Sequence, residues 1–198
     1  MEPLKLASKN PGKLRELRRS LDWELEALDA DDYPPEQGAT YYENARAKAE
    51  YGRLVDPSSW ILGEDSGLEV DGLGGAPGIK SARFAGEMHV ERLLSELDGI
   101  AGDGRRARYV CELVALSPEG EEIRGTGILE GRIANVPRGS EGFGFDPIFV
   151  PAGEKRTVGE LGDEWKAGHS HRARAAEALR RALERLPGPR SAPGRATS

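Results

Sequence analysis

The sequence predicts an α/β protein built on a mixed β-sheet with flanking helices. In the first third of the chain, short apolar segments alternate with segments whose apolar residues recur at helical spacing. In the middle, residues 109–116 and 123–133 are strand-like and are joined by a turn at 117–120, which indicates a long antiparallel hairpin. Strand–helix alternation gives parallel pairing and a hairpin gives antiparallel pairing, so one mixed sheet is expected.

The first element is a short buried strand at residues 3–8, followed closely by a helix. Leu14 and Leu17 lie at helical spacing. Asn10 is a suitable N-cap, and Pro11 fits the first helical position because its missing N–H group has no partner there. The N-terminus of this helix therefore points to the end of the strand.

The next elements are a loop, a helix and a second buried strand. Residues 29–38 are polar, acidic and proline-bearing, which is typical of a loop. A helix follows from Thr40 to about Leu54, and residues 60–62 are apolar enough for a buried strand. The glycine-rich segment at 67–78 is predicted to be loop throughout.

The C-terminal half adds two helices and an aromatic segment. Residues 89–97 predict a short helix, and residues 142–150 mix glycine and aromatic residues beside a buried strand end. Ser170 is a good N-cap for the last helix, and residues 187–198, without periodicity, are expected to be a disordered tail. The apolar stripe of that helix consists of Ala173, Ala176, Leu179, Leu183 and Leu186.

Composition excludes several classes of protein. Lys plus Arg is 28 and Asp plus Glu is 34, a net charge of −6 that argues against a general nucleic-acid binder. The single cysteine, Cys111, forms no intramolecular disulfide, which fits a reducing compartment. The sequence shows no signal peptide and no apolar stretch of membrane-helix length. We therefore expect a soluble cytoplasmic protein that does not bind membranes.

The strand–helix junction is a candidate anion site. Unpaired N–H groups and the helix dipole attract an anion there. Lys9 and Lys13, with Lys13 turned away from the apolar side of the helix, would add positive charge. Neither a P-loop nor a dinucleotide-binding glycine motif occurs in the chain. An ordinary solvated turn is the alternative interpretation.

Four acids form a candidate metal site: Glu36, Glu43, Glu64 and Asp65. Carboxylates suit Mg²⁺, which takes one or two of them together with phosphate oxygens and water. Glu43 has an alternative role, because Thr40 and Glu43 match a capping box. Asp65 could instead be a turn residue. Adjacent Glu64 and Asp65, predicted at a strand end, would point to opposite sides of the pleat and so serve different tasks.

A third candidate is the start of the last helix. His171 and Arg172 follow the N-cap Ser170, where positive charge opposes the helix dipole. An anion or polar ligand facing them would remove this penalty, and a solvated helix start is the alternative. His89, in the predicted short helix, is assigned no role.

Taken together, these segments resemble the inosine triphosphate pyrophosphatase family, also called the Ham1-like or dITP/XTP pyrophosphatases. The resemblance runs from about residue 4 to 186. It rests on six segments in order: residues 7–13, 40–45, 64–71, 75–83, 142–149 and 170–172.

The resemblance implies a long mixed sheet, two lobes around a central cleft, a single domain over residues 1–186 and a homodimer. It also implies Mg²⁺-dependent hydrolysis of ITP, dITP and XTP to the monophosphate and pyrophosphate. The alternatives are a non-catalytic nucleotide sensor and a pyrophosphatase for another modified nucleotide. Asp65 would be the catalytic carboxylate and a metal ligand, with Glu36 or Glu43 as the second ligand. The implied substrate-binding residues are Ser8, Lys9, Asn10, Pro11, Gly12, Lys13, Ser66, Phe143, Gly144, Phe145, Asp146, Lys166, His171 and Arg172.

Three positions depart from the usual pattern of the family. Bacterial members more often have Asp at the position of Glu64, Thr at Ser8 and Tyr at Phe145. The change at Glu64 keeps the charge and lengthens the side chain.

Overall fold

The mixed sheet is confirmed in the computed structural model, which describes residues 3–30, 32–84 and 86–185. Six strands lie in the order β2-β1-β3-β4-β5-β6. The first strand runs parallel to the second and third, and the remaining pairs are antiparallel. The strands are β1 (Leu4–Leu6), β2 (Leu25–Ala27), β3 (Trp60–Val70), β4 (Arg106–Leu116), β5 (Glu122–Ile133) and β6 (Phe149–Pro151).

Five α-helices flank this sheet within the described residues. They are α1 (Pro11–Ser20), α2 (Tyr41–Val55), α3 (His89–Glu96), α4 (Val158–His169) and α5 (His171–Leu183). The predicted caps are confirmed: the Asn10 side chain caps α1, Thr40 caps α2 and Ser170 caps α5. Residues 187–198 and Leu186, the last member of the predicted apolar stripe, lie outside the described residues.

The prediction of a loop over residues 67–78 is wrong at its start. Strand β3 continues to Val70, so Glu64 and Asp65 lie inside the strand and not at its end. Gly67 is needed for close packing rather than for a turn: a Cβ at this position would lie 2.2 Å from the Gly78 carbonyl oxygen. Glycine in a strand can mark such a close backbone approach.

Two elements were absent from the sequence-based prediction. Strand β2 has only three residues, two of them exposed. Helix α4 contains several glycines and is kinked at Gly162, whose φ of 84° is outside the helical region. These glycines hide the helical pattern.

Two hydrophobic clusters share one face of the long strands and form the cores of two lobes. Leu62 and Leu113 belong to the first cluster, and Leu68 and Tyr109 belong to the second. Between them, the same face carries the buried Glu64 and the half-buried Ser66. The apolar surface of each lobe therefore ends where the charged side chains begin.

Helix α5 lies directly on β5 because two strand glycines leave room for it. A Cβ on Gly127 would lie 2.0 Å from the His171 carbonyl oxygen, and one on Gly125 would lie 2.2 Å from that of Ala175. This close contact places the first turn of α5 over the polar part of the sheet.

No helix among the described residues is long and apolar enough to cross a bilayer.

Replacing Ser170 by alanine is expected to lower the free energy of unfolding by about 1 kcal/mol, the usual cost of losing an N-cap. The buried Ser170 hydroxyl accepts a hydrogen bond from the Ala173 N–H group at 3.2 Å. Urea denaturation measures the change. Ser95→Ala, in exposed helix surface, is the control, and equal effects from the two substitutions would contradict this role.

Candidate active site

A cavity of about 240 Å³ lies between the two lobes. Its walls come from the start of α1, the middle of β3, the segment after Gly142 and the first turn of α5. The lining residues are Asn10, Lys13, Ser66, Gly67, Leu68, Ser81, Ala82, Gly86, His89, Tyr109, Phe143, Gly144, Phe145, Asp146, His171 and Arg172. Nine of the substrate-binding residues predicted from the sequence are among them.

The start of α1 forms one end of this cavity. The Asn10 side-chain oxygen accepts hydrogen bonds from the N–H groups of Gly12 at 2.9 Å and Lys13 at 3.2 Å, while Pro11 occupies the first turn. A Cβ on Gly12 would lie 3.1 Å from the Phe143 ring, so the ring packs closely on the helix start. Helix start and aromatic segment thus lie side by side.

The two lysines near this helix start differ in environment. Lys13, predicted to point away from the apolar side of the helix, is buried, and its Nζ lies 2.5 Å from Glu64 Oε2. Lys9 is exposed, with its Nζ 3.9 Å from Asp32 Oδ1. Ser8, beside it, accepts a hydrogen bond from the Asn10 N–H group. The buried Lys13 is therefore the lysine with a fixed position.

Asp65 lies on the face of β3 that is covered by α2. Its Oδ2 accepts a hydrogen bond from the Asn44 side chain at 3.0 Å, and its Oδ1 lies 3.3 Å from Lys48 Nζ. Burial raises the pKa of Asp65, Lys48 offsets part of this, and the charges of Glu64 and Glu36 add to it. The carboxylate is held in a fixed orientation and binds a proton more readily than an exposed aspartate does.

Lys48 connects Asp65 to a second acid. Its Nζ hydrogen bonds to the Glu36 carboxylate and, at 3.0 Å, to the Glu64 backbone oxygen. Burial alone would raise the pKa of Glu36, but the charge and hydrogen bond of Lys48, with the charges of Lys13 and Arg83, together outweigh it, so that pKa is lowered. Glu36 and Asp65 are therefore two carboxylates that share one ammonium group.

Glu43 has a different role. Its Oε2 accepts hydrogen bonds from the N–H groups of Ala39 and Thr40, and the Thr40 hydroxyl accepts one from the Glu43 N–H group. The capping box, which was the alternative for Glu43, is confirmed. This leaves Glu36 as the acid that shares a partner with Asp65.

Glu64 and Asp65 do face opposite sides of the sheet, as the pleat predicts. Asp65 contacts α2, whereas Glu64 contacts Lys13 of α1 and Arg172 of α5. Burial alone would raise the pKa of Glu64, but Lys13 and Arg172 together hold it below its ordinary value. Glu64 is thus an ionised carboxylate within the protein interior.

The positive charge at the start of α5 is balanced by the protein itself. The Arg172 guanidinium lies 3.1 Å from Glu64 Oε1 and 2.9 Å from Glu16 Oε2, and it donates to the Ser66 hydroxyl at 2.7 Å. The His171 ring stacks on Tyr109 with 4.5 Å between centroids. Burial, helped by the charge of Arg172, lowers the pKa of His171, so its ring is uncharged near neutral pH.

The aromatic segment is tied to α4 by an ion pair. Asp146 Oδ2 lies 2.8 Å from Lys166 Nζ and accepts a hydrogen bond from the Phe143 N–H group. Lys166 Nζ also lies 4.6 Å from the centroid of the Phe143 ring. Gly144, at a φ of 64°, allows the segment to turn within this short loop.

The sequence analysis missed five side chains of the site. His89 lines the cavity, and its ring meets Phe145 edge-on at 5.1 Å, although it was assigned no role. For Asn44 and Lys48, the sequence did offer a signal: they are four residues apart, so both lie on one face of α2. The missed residues are Glu16, Asn44, Lys48, His89 and Tyr109.

The fold and site define a two-lobed α/β protein with a cation-lined cleft and a pair of carboxylates, Asp65 and Glu36, that share Lys48. Asp65 and Glu36 are not among the residues that line the cleft. The profile of the Ham1 family matches residues 4–182, and the chain belongs to this family. It is 46% identical to the dITP/XTP pyrophosphatase of Symbiobacterium thermophilum, over 93% of this chain and 94% of the relative. The dITP/XTP pyrophosphatase of Bdellovibrio bacteriovorus is 40% identical, over 91% and 96%.

Solved structures agree with this assignment. The Ham1 protein of Staphylococcus aureus superposes with a TM-score of 0.79 at 34% identity, covering 92% of this chain and 98% of that one. A HAM1 protein from Coxiella burnetii gives a TM-score of 0.80 at 33% identity, covering 93% and 99%.

Proposed function

We propose that this chain is a nucleoside triphosphate pyrophosphatase that hydrolyses the non-canonical purine nucleotides ITP, dITP and XTP to the monophosphate and pyrophosphate. The observation that carries the proposal is a pair of carboxylates joined by Lys48: Asp65, on the strand that also forms the cleft wall, and Glu36, in the loop before α2. The names of the relatives, dITP/XTP pyrophosphatases, support the substrate class.

The two carboxylates fit Mg²⁺. Among residues 3–30, 32–84 and 86–185, no three His, Cys, Asp or Glu side chains are grouped as a metal site. Mg²⁺ usually needs only one or two protein carboxylates, because phosphate oxygens and water complete its shell. Asp65 and Glu36 would hold the ion, and Glu43 would remain in its helix cap. When bound, Mg²⁺ neutralises phosphate charge and orients the triphosphate.

Asp65 is the general base in this proposal. It accepts a proton from a water molecule whose oxygen bonds to the α-phosphorus, while the bond from that phosphorus to the bridging oxygen breaks and pyrophosphate leaves. The buried carboxylate is suited to this because its pKa is raised, which makes it a better proton acceptor than an exposed aspartate. Asn44 and Lys48 hold its two oxygens in place.

The start of α1 binds the triphosphate. Its N–H groups and the helix dipole favour an anion, and Lys13 supplies a positive charge at a defined position, with Lys9 adding to the local field. Ser8 and Asn10 provide polar side chains at the same turn.

The opposite end of the cavity binds the purine. Inosine and xanthosine carry a 6-oxo acceptor where adenosine carries an amino donor. Lys166, His171 and Arg172 offer donors that favour the oxo group and leave an adenine poorly paired. His171 Nδ1 is buried with no hydrogen-bond partner among the described residues, so it is available to a ligand. The rings of Phe143 and Phe145 supply apolar contact area.

Homodimerisation, which rests on the resemblance to the family, and a cytoplasmic location, which fits the single cysteine Cys111, are further parts of the proposal. Light scattering during size-exclusion chromatography tests the first: the dimer predicts twice the chain mass, and a peak at the chain mass would contradict it.

Pyrophosphate release from ITP, dITP and XTP is the direct test, with dATP, dGTP and dTTP as comparisons. We expect rapid release from the first three nucleotides in Mg²⁺, loss of release with excess chelator, and recovery when Mg²⁺ is returned. Absence of release from every nucleotide would favour the sensor. Preference for a nucleotide outside the inosine and xanthosine set would favour the alternative pyrophosphatase.

A further inference from the structure

One buried carboxylate holds two cations of the cavity wall. Glu64 is fully buried; its Oε2 lies 2.5 Å from Lys13 Nζ and its Oε1 lies 3.1 Å from Arg172 Nε. Lys13 and Arg172 both line the cavity and come from different helices, α1 and α5. Glu64, on β3, thus contacts one cation from each of these two helices.

We propose that Glu64 is a positioning residue for substrate binding: it fixes the Lys13 ammonium and the Arg172 guanidinium so that the triphosphate and the nucleoside are bound together. The inference rests on the proposed function. Glu64 lies on the face of β3 opposite Asp65, so it acts through the two cations and not on the attacking water.

The chemistry of the site requires a carboxylate here. Each oxygen has its own cationic partner, so a glutamine could serve one cation through its oxygen while its amide group repelled the other. Lys13 makes no other ion pair among the residues that the structure describes, so it depends on Glu64 more than Arg172 does. Because Glu64 already fixes the Lys13 side chain in the free protein, less side-chain entropy is lost when the substrate binds.

Glu64 also differs from an ordinary structural acid of this fold. Asp56 is likewise paired with a lysine, Lys5, and accepts hydrogen bonds from Ser58 and Ser59. It lies at the end of α2 and is not among the residues that line the cavity. Asp56→Asn therefore removes a lysine–carboxylate pair without touching the site, and it is the matched control.

Steady-state hydrolysis of ITP by four proteins tests the inference. Glu64→Gln is expected to raise KM at least ten-fold with kcat within about three-fold of wild type, because binding is uniformly weakened. Glu64→Asp keeps the charge and is expected to raise KM about three-fold. Asp56→Asn should leave both constants unchanged. Calorimetric titration with ITP in excess chelator should show the same order of affinities without turnover.

The outcomes separate the inference from the function on which it rests. A wild-type protein that does not hydrolyse ITP would contradict the proposed function. An active wild type with an unchanged KM in Glu64→Gln, or with equal losses of kcat and affinity in both Glu64 variants, would overturn the positioning role. If Glu64→Gln does not fold, Glu64→Asp decides: a three-fold rise in KM supports the role and an unchanged KM overturns it.

Discussion

Replacing Asp65 by asparagine is expected to lower kcat for ITP by about 10²-fold or more, with KM within about three-fold of wild type. Asparagine keeps the shape of the side chain and, through its one oxygen, can still accept a hydrogen bond from either Asn44 or Lys48, but it cannot accept the proton of the attacking water. Loss of a general base typically costs about 10²-fold to 10⁴-fold in rate. Pyrophosphate release under saturating ITP and Mg²⁺ measures the change.

The control for this prediction is Asp71→Asn. Asp71 is an exposed acid in the turn after β3, so its replacement removes the same charge without touching the site. We expect wild-type kinetics from it. Near-normal turnover in Asp65→Asn would remove Asp65 from its proposed role. Equal losses in both variants would mean that net charge, and not the Asp65 carboxylate, sets the rate.

Gly63→Ala is expected to lower the free energy of unfolding by about 3 kcal/mol, at the upper end of the usual cost of overpacking. A Cβ at this position would lie 1.8 Å from the Ala45 carbonyl oxygen and 2.9 Å from the Ala49 nitrogen. Both atoms are backbone of α2, so the helix must move away from β3. Since Asn44 and Lys48 belong to the same part of α2, the shift should also lower kcat for ITP.

Gly168→Ala is the matched control for this substitution. A Cβ there meets nothing within 4 Å, and the residue lies in α4 without a positive φ. Alanine is favoured over glycine in helices by about 1 kcal/mol, so this variant should be as stable as wild type or more so. Denaturation midpoints of the two variants that agree within error would contradict the close contact of α2 with β3.

Features encoded by local sequence were predictable. The caps at Asn10, Thr40 and Ser170 each depend on residues within three positions along the chain, and all three were found from the sequence. The strand and helix alternation and the hairpin of β4 and β5 likewise follow from periodicity and turn residues. The resemblance to the family supplied the identities of most cavity residues, although not their partners.

Features that depend on pairing across the sheet were not predictable. The glycine at position 67 indicates a loop in isolation, and only the approach of the Gly78 backbone explains its place inside β3. Lys13 was expected to point away from the apolar side of α1 because of the helical spacing of the leucines, and its burial follows from a carboxylate on a distant strand. The role of Lys48 depends on Glu36 and Asp65, which lie on different elements.

In the proposed mechanism, the two faces of strand β3 have different tasks. The face toward α2 carries Asp65 and the groups that fix it, and the opposite face carries Glu64 with the cations of the cavity wall. Changes on the first face should therefore act mainly on kcat, and changes on the second mainly on KM. We therefore expect the Asp65 variant to differ from wild type mainly in kcat and the Glu64 variants mainly in KM.

A crystal structure with Mg²⁺ and a non-hydrolysable analogue of ITP would show where the substrate and the ion bind relative to Asp65. We expect the purine in the cavity beside Phe143 and Arg172, the phosphates at the start of α1, and the ion bound by Asp65 and Glu36. An analogue bound outside this cavity, or an ion held by other residues with Asp65 away from the triphosphate, would contradict the account.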